Sequence, residues 1–334
     1  MSISDTCTII AFNGLGMRRC GASLFQSLYH QSSLISLTGP LGAGKTTFAQ
    51  GLAKGMGISG PKVISPTFAL EQRYGDDLLH IDLYRLKPGQ IPEILHHSED
   101  FPGIRLIEWG DRAGKKLNEN ILIKISEVPG DLNQRTLSIE FRDIAIPSPK
   151  EIKDWRKEVL LPNHIVRHND VVAKVCEKLT DNLWKRGIIV RRKALIAAAR
   201  THDLLRFVDF RSQKEFTHEQ LKRWQDLKKD YPKDHEGAAS QFLTERGYPE
   251  IGKIVRTHRG HSEDAAKQPK TIEQLALCYA DKLVLNDKIV TLNERFEYFA
   301  ERYGGGKTTP FAKAWYSKVK ATEKLLFPDG PPSL

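Results

Sequence analysis

The feature that most constrains this sequence is a glycine-rich loop near its beginning, Gly39–Thr46, with the sequence GPLGAGKT. The loop follows a short apolar run, Leu34–Leu37, and precedes a helical pattern, Thr47–Gly55, that ends in glycine. A loop of this spacing between a strand and a helix turns its backbone N–H groups toward phosphate oxygens, while its lysine and hydroxyl reach the β/γ-phosphates and Mg²⁺. The sequence therefore predicts a nucleotide site formed by Gly39, Gly42, Ala43, Gly44, Lys45, Thr46 and Thr47, with Thr46 also facing Mg²⁺.

Two carboxylates end predicted strands in the same half of the chain. Asp82 follows Leu78–Ile81, and Glu108 follows Ile104–Ile107. Ligands of open α/β sheets lie at the carboxyl edge, where such side chains meet. We expect both to be catalytic, one by holding Mg²⁺ through water and the other by orienting the attacking water. The alternatives for either residue are a helix cap and a surface ion pair.

The hydrophobic pattern changes after residue 147. Before it, strands alternate with helices, and Ile121–Ile125 and Thr136–Phe141 complete a predicted sheet. Pro147–Lys150 is predicted to interrupt regular structure. Beyond it the periodicity is helical over Val166–Leu179, Lys193–Phe207, His218–Lys229, Ala238–Arg246, Ile272–Leu285 and Leu292–Arg302. The sequence predicts two domains, an α/β P-loop sheet over residues 1–147 and an all-α helical bundle over residues 148–334.

Composition agrees with two soluble domains. The chain has 334 residues, 40% of them hydrophobic and 28% charged, which is enough for two cores. No apolar run approaches a membrane span, and the first residues lack a signal-peptide pattern. The four cysteines are scattered without a CxxC pair, as is typical of buried thiols in a reducing compartment. We expect a cytoplasmic protein without a membrane partner.

Positive charge is concentrated in the second half. Residues 1–150 carry 16 Lys and Arg against 15 Asp and Glu, whereas the remainder carries 35 against 26. Basic clusters gain affinity for nucleic acid by releasing counterions from its phosphates, so the asymmetry favours a polyanionic partner. The alternative is that these charges are ordinary solvated helix faces.

A dispersed set of histidines and aspartates also lies in the second half. His202 and Asp203 are adjacent within a predicted buried helix, and His168 and Asp281 lie in similar apolar patterns. Such groups are costly to bury without a partner, and a divalent cation would satisfy them. Groups on separate helices can converge in a bundle core, although each one alone is as well explained as a hydrogen-bonded core residue.

Four motifs of the first half occur in the order GPLGAGKTT, Ser65–Phe68 (SPTF), His80–Arg85 (HIDLYR) and Ile107–Trp109 (IEW). They resemble the TsaE family of bacterial ATPases, which support synthesis of threonylcarbamoyladenosine on tRNA, over about residues 8–146. The resemblance implies ATP with Mg²⁺ as the ligand and proteins of that pathway as partners. It also implies that Thr67 lies in a switch-like segment, Asp82 serves the metal, Glu108 serves hydrolysis and Trp109 flanks the nucleotide. From the residues alone, Trp109 is equally a core aromatic.

The order His168, His202-Asp203, Asp281 resembles the HD superfamily of metal-dependent phosphohydrolases over about residues 160–290. The runs Asp234–Ala239 (DHEGAA) and Ile254–His258 (IVRTH) strengthen it. The resemblance implies one or two divalent metals held by His168, His202, Asp203, His235, His258 and Asp281, with Asp203 also catalytic. Imidazole and carboxylate ligands suit Mn, Fe, Ni or Co. We expect Arg206, His261 and Lys282 at the substrate phosphate, with surface charges and a loop histidine as the alternatives.

These patterns predict an enzyme that combines an ATPase with a metal-dependent phosphodiesterase acting on short RNA or nucleotides. A nucleotide phosphohydrolase is the first alternative, and a nucleotide-dependent assembly factor of a tRNA-modifying complex is the second. Gly304–Thr309 (GGGKTT) looks like another P-loop, but Glu301 stands where the first glycine is required and a helical pattern precedes it. A helix end followed by a loop is predicted there.

Overall fold

The computed structural model describes residues 5–30, 32–58, 63–66, 69–87, 89–210, 215–260, 268–305, 307 and 309–334. Its contacts divide the chain into two compact units. The first, here called the α/β unit, comprises Ser4–Asp143 and Leu183–Arg191. The second, the helical unit, contains residues 144–182 and 192–334. The predicted fold class, an α/β P-loop sheet followed by a helical domain, is confirmed.

The α/β unit is built on a sheet of seven strands within the described residues, ordered β1-β7-β6-β2-β5-β4-β3. The four central strands are parallel, since β2 pairs with β6 and β5, and β5 pairs with β4. The outer strands pair antiparallel, β7 with both β1 and β6, and β3 with β4. The apolar runs form the buried central strands because both faces of a parallel sheet are covered. The strands are β1 (Asp5–Phe12), β2 (Ser33–Thr38), β3 (Glu71–Tyr74), β4 (Leu78–Asp82), β5 (Ile104–Glu108), β6 (Ile121–Val128) and β7 (Asp131–Phe141).

Three helices accompany this sheet: α1 (Asn13–Phe25), α2 (Lys45–Gly55) and α3 (Ile91–His97). Helix α2 buries Phe48, Ala49 and Leu52 in the core. Helices α1 and α2 approach closely at Gly51, where an added Cβ would lie 2.2 Å from the carbonyl oxygen of Arg18. This packing fixes α2 so that its first turn begins at the carboxyl edge of β2.

The helical unit contains α4 (Pro149–Glu158), α5 (Asn163–Lys185), α6 (Arg192–Thr201), α7 (His218–Asp230), α8 (His235–Glu245), α9 (Pro249–Val255), α10 (Ile272–Lys282), α11 (Leu292–Gly304) and α12 (Pro310–Leu326). A short ribbon, β8 (Val284–Leu285) with β9 (Lys288–Ile289), is added to the predicted helices. Among the described helices, none is both long and apolar enough to cross a lipid bilayer.

Helix α6 is shorter than the sequence predicts, because the helix over Lys193–Phe207 ends at Thr201. The Thr201 hydroxyl donates to the carbonyl of Ala197, and the ring nitrogen Nδ1 of His202 bonds the carbonyl of Ala199. The His202 ring thus satisfies a carbonyl that residue 203 would have bonded in a continued helix, whereas the Thr201 bond lies within α6 itself. His202 and Asp203 therefore lie in the turn that follows the helix, and not inside it as predicted.

The run Pro147–Lys150 starts a helix rather than only interrupting structure. Pro149 occupies the first turn of α4, where the missing N–H of proline is tolerated. The Ser148 side chain accepts from the backbone N–H of Glu151, whose carboxylate accepts from the backbone of Ser148. Strand β7 ends at Phe141, so residues 142–148 join the two elements. The boundary after residue 147 stays a prediction.

A second connection was not expected from the sequence. The last residues of α5 and the following segment, Leu183–Arg191, belong to the α/β unit. Ile189 is fully buried in the core of that unit, and its backbone N–H donates to the Ser23 hydroxyl. Arg191 is wholly buried, forms two hydrogen bonds with the carboxylate of Asp143, and donates through Nε to the carbonyl of Ser27. The α/β unit is therefore assembled from two separate stretches of chain.

Candidate functional sites

The P-loop lies between β2 and α2, as predicted. Gly39, Gly42 and Gly44 all have positive φ angles, of 145°, 77° and 98°. At Gly39 the backbone is also close to β6, since an added Cβ would lie 2.3 Å from the carbonyl oxygen of Ile125. Only glycine fits this combination, which curls the loop around the first turn of α2.

Lys45 is held inside this loop. Its ammonium donates to the carbonyls of Gly39 and Pro40 at 2.9 Å each, and Nζ lies 3.6 Å from the ring centre of Trp109. Burial lowers the pKa of the Lys45 ammonium, and the negative charges of Glu108 and Asp82 oppose that shift. The cation is therefore positioned where phosphate oxygens are expected. Of the neighbouring residues, Ala43 is buried, and Thr46 and Thr47 are half-buried in the first turn of α2.

The two predicted carboxylates meet at the same sheet edge. Asp82 and Glu108 are direct partners in the parallel pair β4 and β5, and each is 2% exposed. The Thr46 hydroxyl donates to Glu108 Oε1 at 3.0 Å, and Ser65 donates to Asp82 Oδ2 at 2.5 Å. Strand β5 also pairs with β2, which leads into the P-loop. The order β2-β5-β4 thus brings the loop and both carboxylates together.

Aromatic rings border the same edge. Trp109 has a left-handed backbone, with φ 61°, and its ring lies 4.8 Å from that of Tyr84. It contacts Lys45 on one side and also packs against the apolar core that includes Leu83 and Ile107, so it borders the P-loop while remaining part of the core packing. Thr67, expected in a switch-like segment, lies outside the described residues. The arrangement has the parts needed to cradle phosphates, hold Mg²⁺ and orient a water.

The predicted histidines and aspartates of the helical unit also converge. The side chains come from α5 (His168), the turn after α6 (His202 and Asp203), the start of α8 (His235), the turn after α9 (His258) and α10 (Asp281). His168 Nε2 lies 3.0 Å from Asp281 Oδ1, and His235 Nε2 lies 3.2 Å from both Asp203 Oδ1 and His258 Nε2. His202, His235 and His258 are at most 3% exposed. These residues form the histidine centre.

Backbone carbonyls orient three of the four rings. The Nδ1 atoms of His168, His202 and His258 lie 2.8–2.9 Å from the carbonyl oxygens of Asn286, Ala199 and Val255, respectively. Each Nδ1 can donate a proton there, so each Nε2 faces the interior of the centre. The Nε2 of His202 is buried and has no hydrogen-bond partner among the described residues. This donor set fits a divalent cation, which would satisfy the inward lone pairs.

Asp203 lies between two groups of ligands. Its Oδ2 lies 3.7 Å from His202, whereas its Oδ1 faces His235 and His258 at 3.2 and 3.7 Å. Burial opposes ionisation of Asp203, but the charge of His202 and a hydrogen bond from His235 hold its pKa well below the usual value. Burial likewise opposes ionisation of Asp281, and Lys282 with His168 holds that pKa well below the usual value. Both carboxylates are therefore available as anionic ligands.

The predicted phosphate contacts differ in placement. Arg206 has a side chain that is 38% exposed, and its Nη1 lies 3.1 Å from His235 Nε2. Lys282 is buried and contacts Asp281 Oδ2, so it stabilises the ionised ligand. Arg206 is thus better placed than Lys282 to meet a substrate phosphate. His261 lies outside the described residues.

Several neighbours of these sites were not singled out from the sequence. His80 contacts Glu108 in the α/β unit. Asp209 lies 2.6 Å from His235 Nδ1, and Arg259 contacts both Asp209 and Glu236. His80 belongs to the quoted HIDLYR motif, which was the available signal. Glu236 likewise lies within the quoted run DHEGAA, whereas Asp209 and Arg259 follow no pattern that the sequence alone makes visible.

Comparison with known proteins assigns each unit. A family model described as threonylcarbamoyl adenosine biosynthesis protein TsaE matches residues 15–137, and the HD domain model matches residues 163–286. The tRNA threonylcarbamoyladenosine biosynthesis protein TsaE of Synechocystis is 44% identical over 24% of this chain and 55% of its own length. The protein of the same description from Streptomyces coelicolor is 35% identical over 34% of this chain and 82% of its own length.

The chain thus spans only about half the length of the Synechocystis relative. A crystal structure of the Listeria monocytogenes phosphodiesterase PgpH HD domain matches 52% of this chain and 98% of that one, with 15% identity and a TM-score of 0.28. TsaE proteins and HD domains are both families of enzymes. The chain belongs to the TsaE family through its α/β unit, and it carries an HD domain in its helical unit.

Proposed function

We propose that this chain is a bifunctional enzyme. Its α/β unit binds and hydrolyses ATP with Mg²⁺ in connection with threonylcarbamoyladenosine modification of tRNA. Its helical unit hydrolyses phosphodiesters in short RNA or nucleotides with a divalent metal. Proteins of the modification pathway and RNA or tRNA are the proposed partners, and the cytoplasm is the proposed location, in agreement with four buried cysteines that form no disulfide.

The observation that carries the hydrolase proposal is the inward orientation of the histidine centre. Rings anchored through Nδ1, together with two anionic carboxylates, are the donor set expected of a metal site. His168, His202, Asp203 and Asp281 would hold one metal, and His235 and His258 would hold a second that shares Asp203. Imidazole and carboxylate donors favour Mn, Fe, Ni or Co over calcium.

Such a metal supplies an activated water and stabilises charge on a phosphate oxygen. The chain's own residues provide the remaining parts of the reaction. Arg206 is partly exposed beside His235, where its guanidinium can pair with the phosphate of the substrate. Lys282 keeps Asp281 ionised, and Asp203, whose two oxygens face His202 on one side and His235 and His258 on the other, would be a metal ligand.

The ATPase proposal rests on the contacts at the P-loop edge. Lys45 is poised for the phosphates, Thr46 and Asp82 for Mg²⁺, and Glu108 for the attacking water. All four side chains lie at one sheet edge because β2, β5 and β4 are neighbours. Trp109 forms a wall that the nucleotide would meet.

The substrate of the helical unit is proposed from charge. After residue 150 the chain has 35 basic and 26 acidic residues, and this excess of positive charge favours a polyanionic substrate such as RNA. A nucleotide phosphohydrolase is the second candidate, since the histidine centre itself fits a phosphate ester of either kind. A non-catalytic assembly factor is the third candidate, but the presence of both anionic carboxylates with four inward histidine nitrogens favours catalysis.

The test is metal analysis of the full-length protein, followed by a panel of phosphoesters. Oligoribonucleotides, nucleoside triphosphates and bis-p-nitrophenyl phosphate are assayed with and without chelator. The D203A variant controls for contaminating phosphatases, and the K45A variant removes hydrolysis of ATP by the P-loop. We expect chelator-sensitive cleavage of oligoribonucleotides that weakens as salt rises. Cleavage of mononucleotides alone would replace the RNA substrate, and bound metal without any activity would favour the assembly factor.

A further inference from the structure

His80 is a buried polar side chain in an apolar strand. It is 0% exposed, and its neighbours in β4, Leu79 and Ile81, are fully or almost fully buried apolar residues. Burying an imidazole in such surroundings costs free energy unless both ring nitrogens are satisfied. Here only one is, because Nδ1 is buried without a hydrogen-bond partner among the described residues. A leucine at this position would avoid that cost, so the packing of the core does not explain the histidine.

The satisfied nitrogen points at a catalytic residue. His80 Nε2 lies 3.0 Å from Glu108 Oε1, across the parallel pair β4 and β5. Since Glu108 is an acceptor and Nδ1 has no partner, the ring proton lies on Nε2 and is donated to the carboxylate. The imidazole thus makes one hydrogen bond, and that bond goes to Glu108.

The other side-chain partner of Glu108 has a competing task. Among the described residues, Thr46 also donates to Oε1, at 3.0 Å. A P-loop threonine turns its hydroxyl toward Mg²⁺ when nucleotide is bound. Once Thr46 is so engaged, His80 is the side chain that still fixes the direction of Glu108. A buried ring with two χ angles restrained by packing suits that role.

We propose that His80 is the positioning residue of the ATPase: it holds Glu108 in the direction needed to orient the attacking water while taking no part in nucleotide binding. This inference rests on the proposed ATP hydrolysis. It assigns to His80 an effect on turnover that acts through Glu108 alone.

The experiment compares H80Q with H80N in the full-length chain. Both replacements are neutral amides of similar polarity, but only the glutamine side chain is long enough to place an N–H near the position of Nε2. We expect H80N to lower kcat for ATP hydrolysis by about 10- to 100-fold, as small misplacements of catalytic groups do, and H80Q to recover most of the loss. The Kd for ATP, measured by isothermal titration calorimetry, should change by less than about twofold in both.

A double-mutant cycle with E108Q tests whether the effect passes through Glu108. The H80N/E108Q double variant should be no slower than E108Q alone, because the residue that His80 positions has already lost its function. The Kd for ATP serves as the folding control, because nucleotide binding requires a folded P-loop edge in the same unit as His80, and it should equal that of the wild type. Full turnover in H80N, loss of ATP affinity in H80Q, or multiplication of the two defects would each overturn the role of His80. A wild-type protein that hydrolyses no ATP would overturn the ATPase proposal itself, which distinguishes the two failures.

Discussion

The two sites of this chain are constructed in opposite ways. The P-loop edge uses one continuous loop whose backbone does most of the binding, with two carboxylates supplied by neighbouring parallel strands. The histidine centre uses only side chains, taken from five places between His168 and Asp281. In the first, the side chains largely satisfy one another by hydrogen bonds. In the second, buried ring nitrogens and carboxylate oxygens face one another, and a divalent cation would satisfy them together. A site made of backbone is thus complete when the chain folds, whereas a site made of side chains depends on its ligand.

The largest expected effect is on the histidine centre and tests its dependence on metal. In D203A, loss of the carboxylate that faces both ligand groups should reduce bound transition metal to near zero and abolish phosphoester hydrolysis. ATP hydrolysis should stay within about twofold of the wild type, because the two units have separate cores. Metal analysis by plasma mass spectrometry, together with both assays, measures the outcome. Full metal occupancy in D203A would show that Asp203 is not a ligand.

The converse experiment removes the cation of the P-loop. K45A should lose ATP hydrolysis by at least about 100-fold, since the ammonium that meets the phosphates is gone. The metal content of the histidine centre should be unchanged. The E108Q variant is the matched control, because it should retain ATP binding while losing hydrolysis. Undiminished turnover in K45A would contradict the placement of Lys45 at the phosphates.

The third prediction concerns stability of the α/β unit. Arg191 and Asp143 are both buried, with 0% and 1% of their side chains exposed. R191M should destabilise the unit by about 3–5 kcal/mol, because it leaves the Asp143 carboxylate buried without its partner. The readout is the urea transition that ATP with Mg²⁺ shifts to higher denaturant concentration. The double variant R191M/D143L should regain most of the stability, and its failure to do so would assign the loss to packing instead of charge.

A weaker effect is expected from the neighbour of His235. Asp209 lies 2.6 Å from His235 Nδ1 and so orients that ring. D209N should weaken metal affinity at His235 and His258 by about 10- to 100-fold, as is typical when a carboxylate behind a histidine ligand is lost. Titration with Mn²⁺ should show weaker binding at the site of His235 and His258 and unchanged binding at the other site. Equal weakening of both sites would indicate that the ligand groups are not separable.

The smallest prediction tests acid sensitivity of the helical unit. Hydrogen bonds from Ser148 and Tyr248 lower the pKa of the Glu151 carboxyl below its ordinary value. When folding lowers the pKa of a carboxyl group, it adds stability at pH values above the pKa of the unfolded state. That stability is lost as the pH falls through the pKa of the folded state. Y248F removes one of these bonds, so it should lower the free energy of unfolding at pH 7 by less than about 1 kcal/mol. It should have no effect once the pH is below the pKa of Glu151 in both the folded and the unfolded state. Thermal unfolding over a pH series from 7 downward measures the difference, and an effect that stays equal throughout the series would point to lost packing.

The difference in construction explains what the sequence could predict. The P-loop, its flanking strand and helix, and the placement of Asp82 and Glu108 at strand ends are all local patterns, and the structure has them where expected. The contact between His80 and Glu108 was not predictable in the same way. It depends on which strands are neighbours and on their register, and neither is encoded within one segment.

The histidine centre was predictable only through resemblance. Its candidate ligands are spread over the chain from His168 to Asp281, which are 113 positions apart, so no spacing rule brings them together, and Asp209 has no motif at all. The helix predicted over Lys193–Phe207 was wrong because α6 ends at Thr201, where the ring of His202 bonds the carbonyl of Ala199. Helix propensity does not foresee that a side chain takes the place of the next backbone N–H. By contrast, the apparent second P-loop was correctly rejected, since Gly305 follows α11 in a left-handed conformation, as a helix end requires.

The segment Leu183–Arg191 determines where the chain can be cut without damage to the α/β unit. Two proteins joined end to end would each keep a complete core and could be separated again by a single cut. Here the chain leaves the α/β unit after Asp143, enters the helical unit, and returns with Ile189 and Arg191 to complete the first core. A truncation after residue 147 would remove these residues and leave Asp143 without its guanidinium. The α/β unit can therefore be expressed with a complete core only when α5 and the segment after it are included, and a nonsense mutation before residue 183 would remove part of the core of each unit.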